Sequence, residues 1–251
     1  IPIVTTLHGT DITLVGKSPS VISAVNYAIN KSSLVTAVSE SLRLDTLNYF
    51  DIEREIKVIP NFIHCQEKLP SRKKNQQKII THISNFRPVK RVLDVIDVFY
   101  QVQSQIDANL IMIGDGPDLL SAQKLVREKN LKDKVLFMGK SNQIADVLTK
   151  SDLFLLPSES ESFGLVALEA MSFGVPIIAT NSGGIIDLVQ NGVNGYTCNV
   201  GDVKNMSIKA IEILSEPSLH NQMSLASYDL AKKYDVNTIL PIYEKSYNEL
   251  Y

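Results

Sequence analysis

The sequence has few cysteines and little net charge. Its 251 residues include two cysteines, Cys65 and Cys198, which stand far apart and form no Cys-x-x-Cys pair. This spacing argues against a zinc knuckle and against a disulfide framework. Lysine plus arginine number 25 and aspartate plus glutamate 27, so the net charge is −2. A chain with this balance has no general attraction to polyanions, so any phosphate contact has to come from a local site and no nucleic-acid partner is expected.

The sequence also lacks a long apolar stretch. The best candidate, residues 165–179, is interrupted by Glu169, Gly174 and Pro176 and is too short to cross a bilayer. The N-terminus has no basic region followed by an apolar signal segment. With 44% hydrophobic and 21% charged residues, the composition is that of an ordinary globular protein of one large or two smaller domains. These features predict a cytoplasmic protein without stable membrane insertion.

What the sequence does contain is an alternation of short apolar runs with amphipathic stretches from Lys78 onward. Each run has four or five residues, rich in β-branched or aliphatic side chains and apolar in consecutive rather than alternate positions, which is typical of strands that are covered on both faces. The runs are 79–83, 110–113, 135–138, 153–156 and 176–179. Stretches with helical spacing separate them, so the sequence predicts an α/β fold with a doubly wound parallel sheet.

The first 60 residues repeat this pattern on a smaller scale. Strands are expected at 4–7, 34–38 and 56–59, with helices from Ser20 to Asn30 and through Phe50. The segment 66–77 is polar and basic, which is typical of a solvated linker and marks the best domain boundary. Residues 202–251 are expected to be helical throughout.

Glycines cluster just after the predicted strands. Because ligands of doubly wound sheets bind at the carboxyl ends of the strands, these loops are the informative ones. They are 85–91, 114–117, 139–140, 159–164 and 181–184. Glycines allow close backbone approach, and a helix N-terminus offers unpaired N–H groups to an anion. The loops together predict a cleft for a nucleotide or a sugar nucleotide.

Several nucleotide and metal motifs are absent or incomplete. Gly114-Asp115-Gly116 begins a dinucleotide fingerprint, but Leu119 stands where its third glycine is needed. A dinucleotide-dependent oxidoreductase therefore becomes the alternative rather than the leading hypothesis. The sequence contains no P-loop, no Asp-x-Asp pair and no His and carboxylate cluster with metal spacing. A reaction without a metal or another cofactor is expected.

Two glutamates and three cations are the charged candidates near these loops. Glu161 follows a strand and Glu169 lies two turns later, so about 12 Å of helix separates them and they cannot share a proton. They can bind different parts of one elongated ligand, although a Glu169 that simply faces water is an equal alternative. Arg87, Lys90 and Arg91 stand at the start of a helix, against its macrodipole, which a diphosphate ligand would offset. The other interpretation of these cations is a basic surface turn.

The four histidines carry less information. His8 follows the first predicted strand, and a single histidine in that setting is more often structural than functional. His64, His82 and His220 are interpreted as structural, and His82 lies inside an apolar strand.

Taken together, these residues resemble the retaining family 4 glycosyltransferases of the GT-B fold. Residues 161–169, which read ESFGLVALE, match that family's Glu-x-Phe-Gly-x-x-x-x-Glu motif, and Gly114-Asp115-Gly116-Pro117 matches its Gly-x-Gly-Pro loop. Segments 174–180, 183–184 and 191–195 continue the pattern. Segments 7–13 and 83–91 are most similar to the members that transfer N-acetylglucosamine from UDP-GlcNAc to L-malate, the first step of bacillithiol synthesis. The wider family has Gly-Arg at 84–85 and Lys-Gly at 90–91, so either Arg87 or Arg91 could meet the phosphate.

The resemblance implies roles for individual residues. Glu169 would hold the ribose and Glu161 the donor sugar, while Arg87 and Lys90 would neutralise the diphosphate and His8 would orient the sugar. The other implied donor contacts are Asn85, Gly114, Gly116, Lys140 at the uracil, and the helix start Phe163, Gly164, Leu165 and Val166. No residue is placed as a nucleophile, so the leaving UDP phosphate would act as the base.

The resemblance also implies a domain organisation. Residues 1–65 would be the closing part of an incomplete acceptor-side Rossmann-like domain, and 66–77 the linker. Residues 78–233 would be the donor-binding domain, and 234–251 a tail helix that packs back toward the first. A chain cut in this way is expected to bind UDP but to transfer poorly alone. A different acceptor within the family, a sugar-nucleotide-binding module without turnover, and a homo-oligomer are left open.

Overall fold

The computed structural model describes residues 1–9, 12, 18–70 and 77–250, and these residues form two parallel sheets. Residues 10, 11 and 13 of the segment 7–13 and residues 71–76 of the expected linker lie outside the described residues. The smaller sheet has the strand order β1-β2-β3. Its elements are β1 (Val4–Leu7), α1 (Ile22–Lys31), β2 (Leu34–Ala37), α2 (Glu40–Tyr49) and β3 (Ile56–Val58).

The larger sheet has the strand order β6-β5-β4-β7-β8-β9, and every neighbouring pair is parallel. Its strands are β4 (Lys78–Ile83), β5 (Ala108–Ile113), β6 (Val135–Gly139), β7 (Leu153–Leu156), β8 (Ile177–Thr180) and β9 (Gly195–Cys198). Its helices are α3 (Val92–Gln103), α4 (Leu119–Glu128), α5 (Ile144–Leu148), α6 (Leu165–Ser172), α7 (Val203–Ser215) and α8 (Pro217–Lys232). This is the doubly wound order, in which the strands run outward in opposite orders from the point between β4 and β7.

The central strands are buried on both faces, as their consecutive apolar residues predict. In β7, Leu153 and Leu155 join a cluster formed with α3, α4 and α7. Phe154 and Leu156 face the opposite side and join a cluster with α6 that also includes Leu7 of the smaller sheet. One apolar core therefore connects the two sheets. The predicted α/β class with two Rossmann-like parallel layers is confirmed.

Strand β9 is absent from the sequence-based prediction, because Gly195 and the polar residues beside it interrupt the apolar pattern. The structure pairs Gly195 with Ile177 of β8. A Cβ atom on Gly195 would lie 1.9 Å from the carbonyl oxygen of Ile177, so this strand needs its glycine to approach β8.

The last helix, α9 (Val236–Asn248), packs against the smaller sheet. The Tyr243 hydroxyl donates to the carbonyl oxygen of Ile59 at 3.2 Å, and Lys57 Nζ donates to Ser246 Oγ at 2.8 Å. The Ile63 N–H donates to the Tyr234 carbonyl at 3.0 Å. Two segments of the chain therefore lie side by side at Ile63 and Tyr234, where the chain passes between the two sheets. The domain boundaries themselves stay a prediction.

Candidate functional site

A cleft of about 420 Å³ opens at the carboxyl ends of β4 and β7, where the strand order reverses. This crevice is where open α/β sheets bind their ligands. The predicted site residues that line it are Asn85, Lys90, Gly114, Lys140, Glu161, Leu165 and Val166. Ile83, Ser84 and Asp115 also line it and are missing from the sequence-based set. Ile83 ends β4, and Ser84 and Asp115 lie in the loops that follow β4 and β5; these positions are the signal that could have identified them.

Glu161 is the buried carboxylate of this cleft, with 8% of its surface exposed. Its Oε1 accepts a hydrogen bond from Lys90 Nζ at 2.7 Å and another from Ser158 Oγ at 2.7 Å. A buried charge needs this kind of pairing, because an unpaired carboxylate would lose its hydration without compensation. Ser158 is a site residue that the sequence analysis missed, although it lies just after β7.

Glu169 lies in a second cleft of about 440 Å³, which shares Leu165 with the first. Asn142, Ile144 and Leu148 line this second cleft as well. Glu169 is half-buried, and burial raises the pKa of its carboxyl above the ordinary value. The side chain is therefore not simply solvated. The two glutamates point into adjoining clefts, an arrangement that can hold two parts of one long ligand.

The three cations at the start of α3 have different surroundings. Lys90 ends a 3₁₀ turn, Pro88–Lys90, and is paired with Glu161. The Arg91 Nε donates to Asp94 Oδ2 at 2.7 Å, so Asp94 compensates this arginine at the helix N-terminus. Arg87 is exposed, and no ion pair joins it to any other residue that the structure describes. Arg87 is thus the more accessible of the two arginines.

Gly114 and Gly116 differ from the expectation that glycines here open the backbone to a ligand. A Cβ atom on Gly114 would lie 1.7 Å from the carbonyl oxygen of Ser84, and one on Gly116 would lie 2.0 Å from that of Asn85. These glycines allow two protein loops to touch, and Gly116 is not among the residues that line the cleft. Gly116 is therefore needed for the packing of two loops and not for the approach of a ligand, which corrects the expectation. Its contact with the sugar-nucleotide donor stays a prediction.

The N-terminus of α6 faces the first cleft. Gly164, in the left-handed region with φ of 90°, precedes the helix, and Leu165 and Val166 line the cleft. The first backbone N–H groups of a helix have no partner within it, so they can bind an anion. The Phe163 ring itself is buried and packs edge-on against Tyr234, with 5.8 Å between ring centroids.

The smaller sheet meets the larger one beside Glu161. A Cβ atom on Gly9 would lie 1.7 Å from Ser162 Oγ, and Ser39 Oγ donates to the Ser162 carbonyl at 2.6 Å. His8, just before Gly9, is exposed and is not among the residues that line the first cleft. Its role stays a prediction. Ser39 was not identified from the sequence.

The other histidines divide into two groups. His82 and His220 are buried, and their rings bond the carbonyl oxygens of Leu155 and Asp152 at 2.9 Å and 2.8 Å, which confirms the structural interpretation. His64 is exposed and lines the second cleft together with Glu169, so its interpretation as structural stays a prediction.

Among the described residues, no group of three or more His, Cys, Asp or Glu side chains could hold a metal ion. Within those residues, too, no helix combines the length and the apolar character needed to cross a bilayer. Burial raises the pKa of the Cys65 thiol to about 11 and also raises the pKa of Cys198, so neither is an activated thiolate.

Sequence families and relatives match this chain over nearly its whole length. The family described as "Glycosyl transferases group 1" matches residues 66–229, and "Glycosyltransferase Family 4" matches residues 1–67. N-acetyl-alpha-D-glucosaminyl L-malate synthase of Bacillus anthracis is 41% identical over 260 residues, which cover all of this chain and 68% of that protein. Poly(ribitol-phosphate) alpha-N-acetylglucosaminyltransferase of Staphylococcus aureus is 30% identical over 84% of this chain and 43% of its own length.

Solved structures agree with the fold. Anabaena HepE in complex with UDP superposes with a TM-score of 0.87 at 24% identity, over 99% of this chain and 72% of that one. A mutant of S. aureus TarM in complex with fondaparinux, alpha-GlcNAc-glycerol and UDP gives a TM-score of 0.83 at 25% identity. That match covers 99% of this chain and half of TarM. These neighbours are GT-B proteins, which confirms the predicted fold, and the matches favour glycosyl transfer over the oxidoreductase alternative.

Proposed function

This chain belongs to the glycosyl transferases of group 1, and from that membership we propose that it binds UDP-N-acetylglucosamine in the cleft between β4 and β7 for transfer to L-malate. The donor and the acceptor are the pair that the name of the B. anthracis relative implies for that protein. Since this chain spans about two thirds of that relative, the activity of the whole protein, its place in bacillithiol synthesis and its oligomeric state are part of the proposal.

The observation that carries the proposal is the pairing of Lys90 with Glu161 at the point where the strand order reverses. A sugar nucleotide has a diphosphate, which needs cations, and a hexose, whose hydroxyls need hydrogen-bond acceptors. Lys90 and Glu161 supply one of each in a single cleft. The start of α6 adds unpaired N–H groups on the same side.

The remaining donor contacts follow the shape of the two clefts. Arg87 would approach the diphosphate from the exposed side of the cleft, whereas Arg91 is already paired with Asp94. Glu169, in the adjoining cleft, would accept hydrogen bonds from the ribose hydroxyls. Lys140, which follows β6, would lie by the uracil. Lys140 lines the first cleft, Glu169 lines the second and Leu165 lines both, so the nucleoside would lie where the two clefts meet.

The proposed chemistry depends on stabilising the leaving group. The bond between the sugar C1 and the UDP oxygen breaks, and a bond from C1 to the acceptor oxygen forms on the same face, with retention of configuration. The acceptor proton passes to the departing phosphate. Lys90, Arg87 and the α6 N–H groups would be aimed at the charge that develops on that phosphate, and such preorganised groups are usually the largest contribution to catalysis.

We further propose that residues 78–233 form the donor-binding domain and that 1–65 belong to the acceptor side, with 66–77 between them and 234–251 returning to the acceptor side. In this arrangement His8 and Gly9 would face the donor sugar across the junction at Ser162. The contact between Ser39 and Ser162 supports such a closed arrangement.

Two measurements test the proposal in sequence. Calorimetric titration with UDP, with NAD as the matched rival, tests the donor site, and we expect UDP to bind and NAD not to bind. Turnover of UDP-N-acetylglucosamine by the whole protein is then followed with L-malate, with poly(ribitol phosphate) and without acceptor. Malate-dependent release of UDP is the expected result. UDP binding with transfer only to the polymer would overturn the acceptor, and preference for NAD would overturn the family-based donor.

A further inference from the structure

His82 lies in the middle of the larger sheet and uses both of its ring nitrogens. Its side chain is fully buried within β4. Nδ1 is 2.9 Å from the carbonyl oxygen of Leu155 on the neighbouring strand β7, and Nε2 is 2.8 Å from Ser84 Oγ. The ring also stacks on Phe86, with 6.1 Å between centroids. This histidine therefore connects the central strand pair to the first loop of the donor cleft.

The partners of His82 determine the direction of its hydrogen bonds. A carbonyl oxygen only accepts, so Nδ1 carries the proton that is donated to Leu155. Burial lowers the pKa of His82 to about 4, so the ring is neutral near pH 7 and Nε2 is an acceptor. The Ser84 hydroxyl must then donate its proton to Nε2.

Ser84 is also hydrogen-bonded to the backbone of Phe86. Its Oγ accepts a hydrogen bond from the Phe86 N–H at 3.2 Å. Phe86 has φ of 42°, in the left-handed region that non-glycine residues rarely adopt, and a residue there needs support from its surroundings. The chain of bonds from Leu155 through His82 and Ser84 ends on the N–H group of this strained residue.

The turn at Phe86 contacts the loops that line the donor cleft. Ser84 and Asn85 line the cleft, and the Phe86 carbonyl accepts the N–H of Asp118 at 3.0 Å. Gly116 touches the backbone of Asn85 so closely that no Cβ would fit. The turn also leads directly into the 3₁₀ segment that ends at Lys90. A shift of this turn would therefore move two loops and the cation that pairs with Glu161.

We propose that His82 is a positioning residue of the donor site, which acts through Ser84 to hold the turn that presents Asn85 and Lys90 to the ligand diphosphate. His82 itself touches no ligand. This inference rests on the proposed function, since the ligand is the diphosphate of a UDP-sugar. Ser84, in place of the glycine of the wider family, is the residue that makes the connection.

The two ring nitrogens can be tested separately with amide side chains. In His82→Asn the amide can still donate to Leu155 but does not reach Ser84, whereas in His82→Gln a terminal oxygen can accept from Ser84. We expect the dissociation constant of UDP to rise about tenfold in His82→Asn, the ratio that corresponds to one lost hydrogen bond, and to stay within about threefold in His82→Gln. Ser84→Ala should match His82→Asn, and the double variant should lose no more than either, because both remove the same connection.

His220→Asn is the matched control. This second buried histidine bonds the Asp152 carbonyl through its Nε2 at the other end of the sheet, and asparagine does not reach that partner, so the replacement should lower thermal stability without changing UDP affinity. Equal UDP affinity in the wild-type protein and in His82→Asn would overturn the inference, and so would equal losses in His82→Asn and His220→Asn.

Amide hydrogen exchange separates this inference from the proposed function. Exchange at residues 84–90 should become about tenfold faster in His82→Asn than in the wild-type protein and in His82→Gln, with no ligand present. If the wild-type protein fails to bind UDP, the proposed function fails while the exchange result still decides the role of His82. Unchanged exchange in His82→Asn would overturn the role even if UDP binds.

Discussion

Lys90 and Glu161 form an ion pair across the crevice of the larger sheet, with 2.7 Å between Nζ and Oε1. Lys90 comes after β4 and Glu161 after β7, which are neighbours in the sheet but lie far apart in the sequence. Ser158 donates to the same carboxylate oxygen. The pair thus holds together the two loops between which the donor is proposed to bind, and the proposed diphosphate would compete with Glu161 for the same lysine.

Replacement of Lys90 by alanine should weaken both the ligand site and the fold. We expect the dissociation constant of UDP to rise roughly 10- to 100-fold, because a charge-assisted hydrogen bond to phosphate contributes about 1.5–3 kcal/mol. The free energy of unfolding should fall by about 1–3 kcal/mol, since Glu161 is left buried without its cation. Calorimetry and urea denaturation measure the two effects.

Lys129→Ala is the control for Lys90→Ala. Lys129, just after α4, pairs with Asp97 of α3 at 2.9 Å, and neither residue lines either cleft. Its replacement should leave UDP affinity unchanged. A Lys90→Ala protein that binds UDP as tightly as the wild-type protein would contradict the assignment of Lys90 to the diphosphate.

The sequence predicts the elements whose environment is uniform and misses those that depend on a single contact. The strands β4 to β8 were identifiable because burial on both faces requires consecutive apolar residues. The edge strand β9 was not, because Gly195 is needed there only for its approach to Ile177. Length and apolar pattern say nothing about such a contact.

The same distinction applies to the candidate site. Glu161 and Lys90 could be identified from their positions after strands, where parallel sheets gather their ligands. The roles of Ser158, Ser84 and Ser39 could not, because a serine in a loop is common and only its partner gives it a role. The structure supplies these partners as Glu161, His82 and the Ser162 carbonyl.

Replacement of Ser39 by alanine should affect the donor site as well as stability. Ser39 Oγ caps α2 by accepting the Leu42 N–H at 3.1 Å, and it donates to the Ser162 carbonyl beside Glu161. Loss of a helix N-cap costs about 1 kcal/mol. We expect that loss in urea denaturation, together with a fewfold weaker binding of UDP.

Asp202→Ala is the comparison for Ser39→Ala. Asp202 caps α7 in the same way, through the Asn205 N–H at 3.1 Å, on a helix that lines neither cleft. The two variants should lose similar stability, but only Ser39→Ala should weaken UDP binding. If both bind UDP like the wild-type protein, the contact between Ser39 and Ser162 does not shape the site.

Replacement of Gly9 by alanine should disturb the junction between the two sheets. Gly9 has φ of 134°, and an added Cβ would lie 1.7 Å from Ser162 Oγ. Gly192→Ala carries a similar backbone penalty, with φ of 77°, but its Cβ would meet no heavy atom within 4 Å. We expect both variants to lose roughly 1 kcal/mol from the backbone conformation, and Gly9→Ala to lose about 1–3 kcal/mol more from overpacking. Equal melting temperatures for the two variants would show that the junction opens without cost.

Glu169→Gln should separate stability from ligand binding. Burial raises the pKa of Glu169 above its ordinary value of 4.5, so the folded protein holds this proton more tightly than the unfolded chain does. As the pH rises from 4.5 through the higher folded pKa, ionisation of Glu169 therefore lowers the free energy of unfolding. The glutamine variant does not ionise, so its melting temperature should exceed that of the wild-type protein at pH 7, and the difference should disappear below pH 4.5.

UDP affinity at pH 7 should nevertheless fall about tenfold, because a charged acceptor for the ribose hydroxyls becomes a neutral one. Glu244→Gln, on the exposed face of α9, should change neither quantity. A Glu169→Gln protein that is less stable than the wild-type protein at pH 7 would mean that this carboxylate has a partner in the fold, and unchanged UDP affinity would remove it from the ribose site.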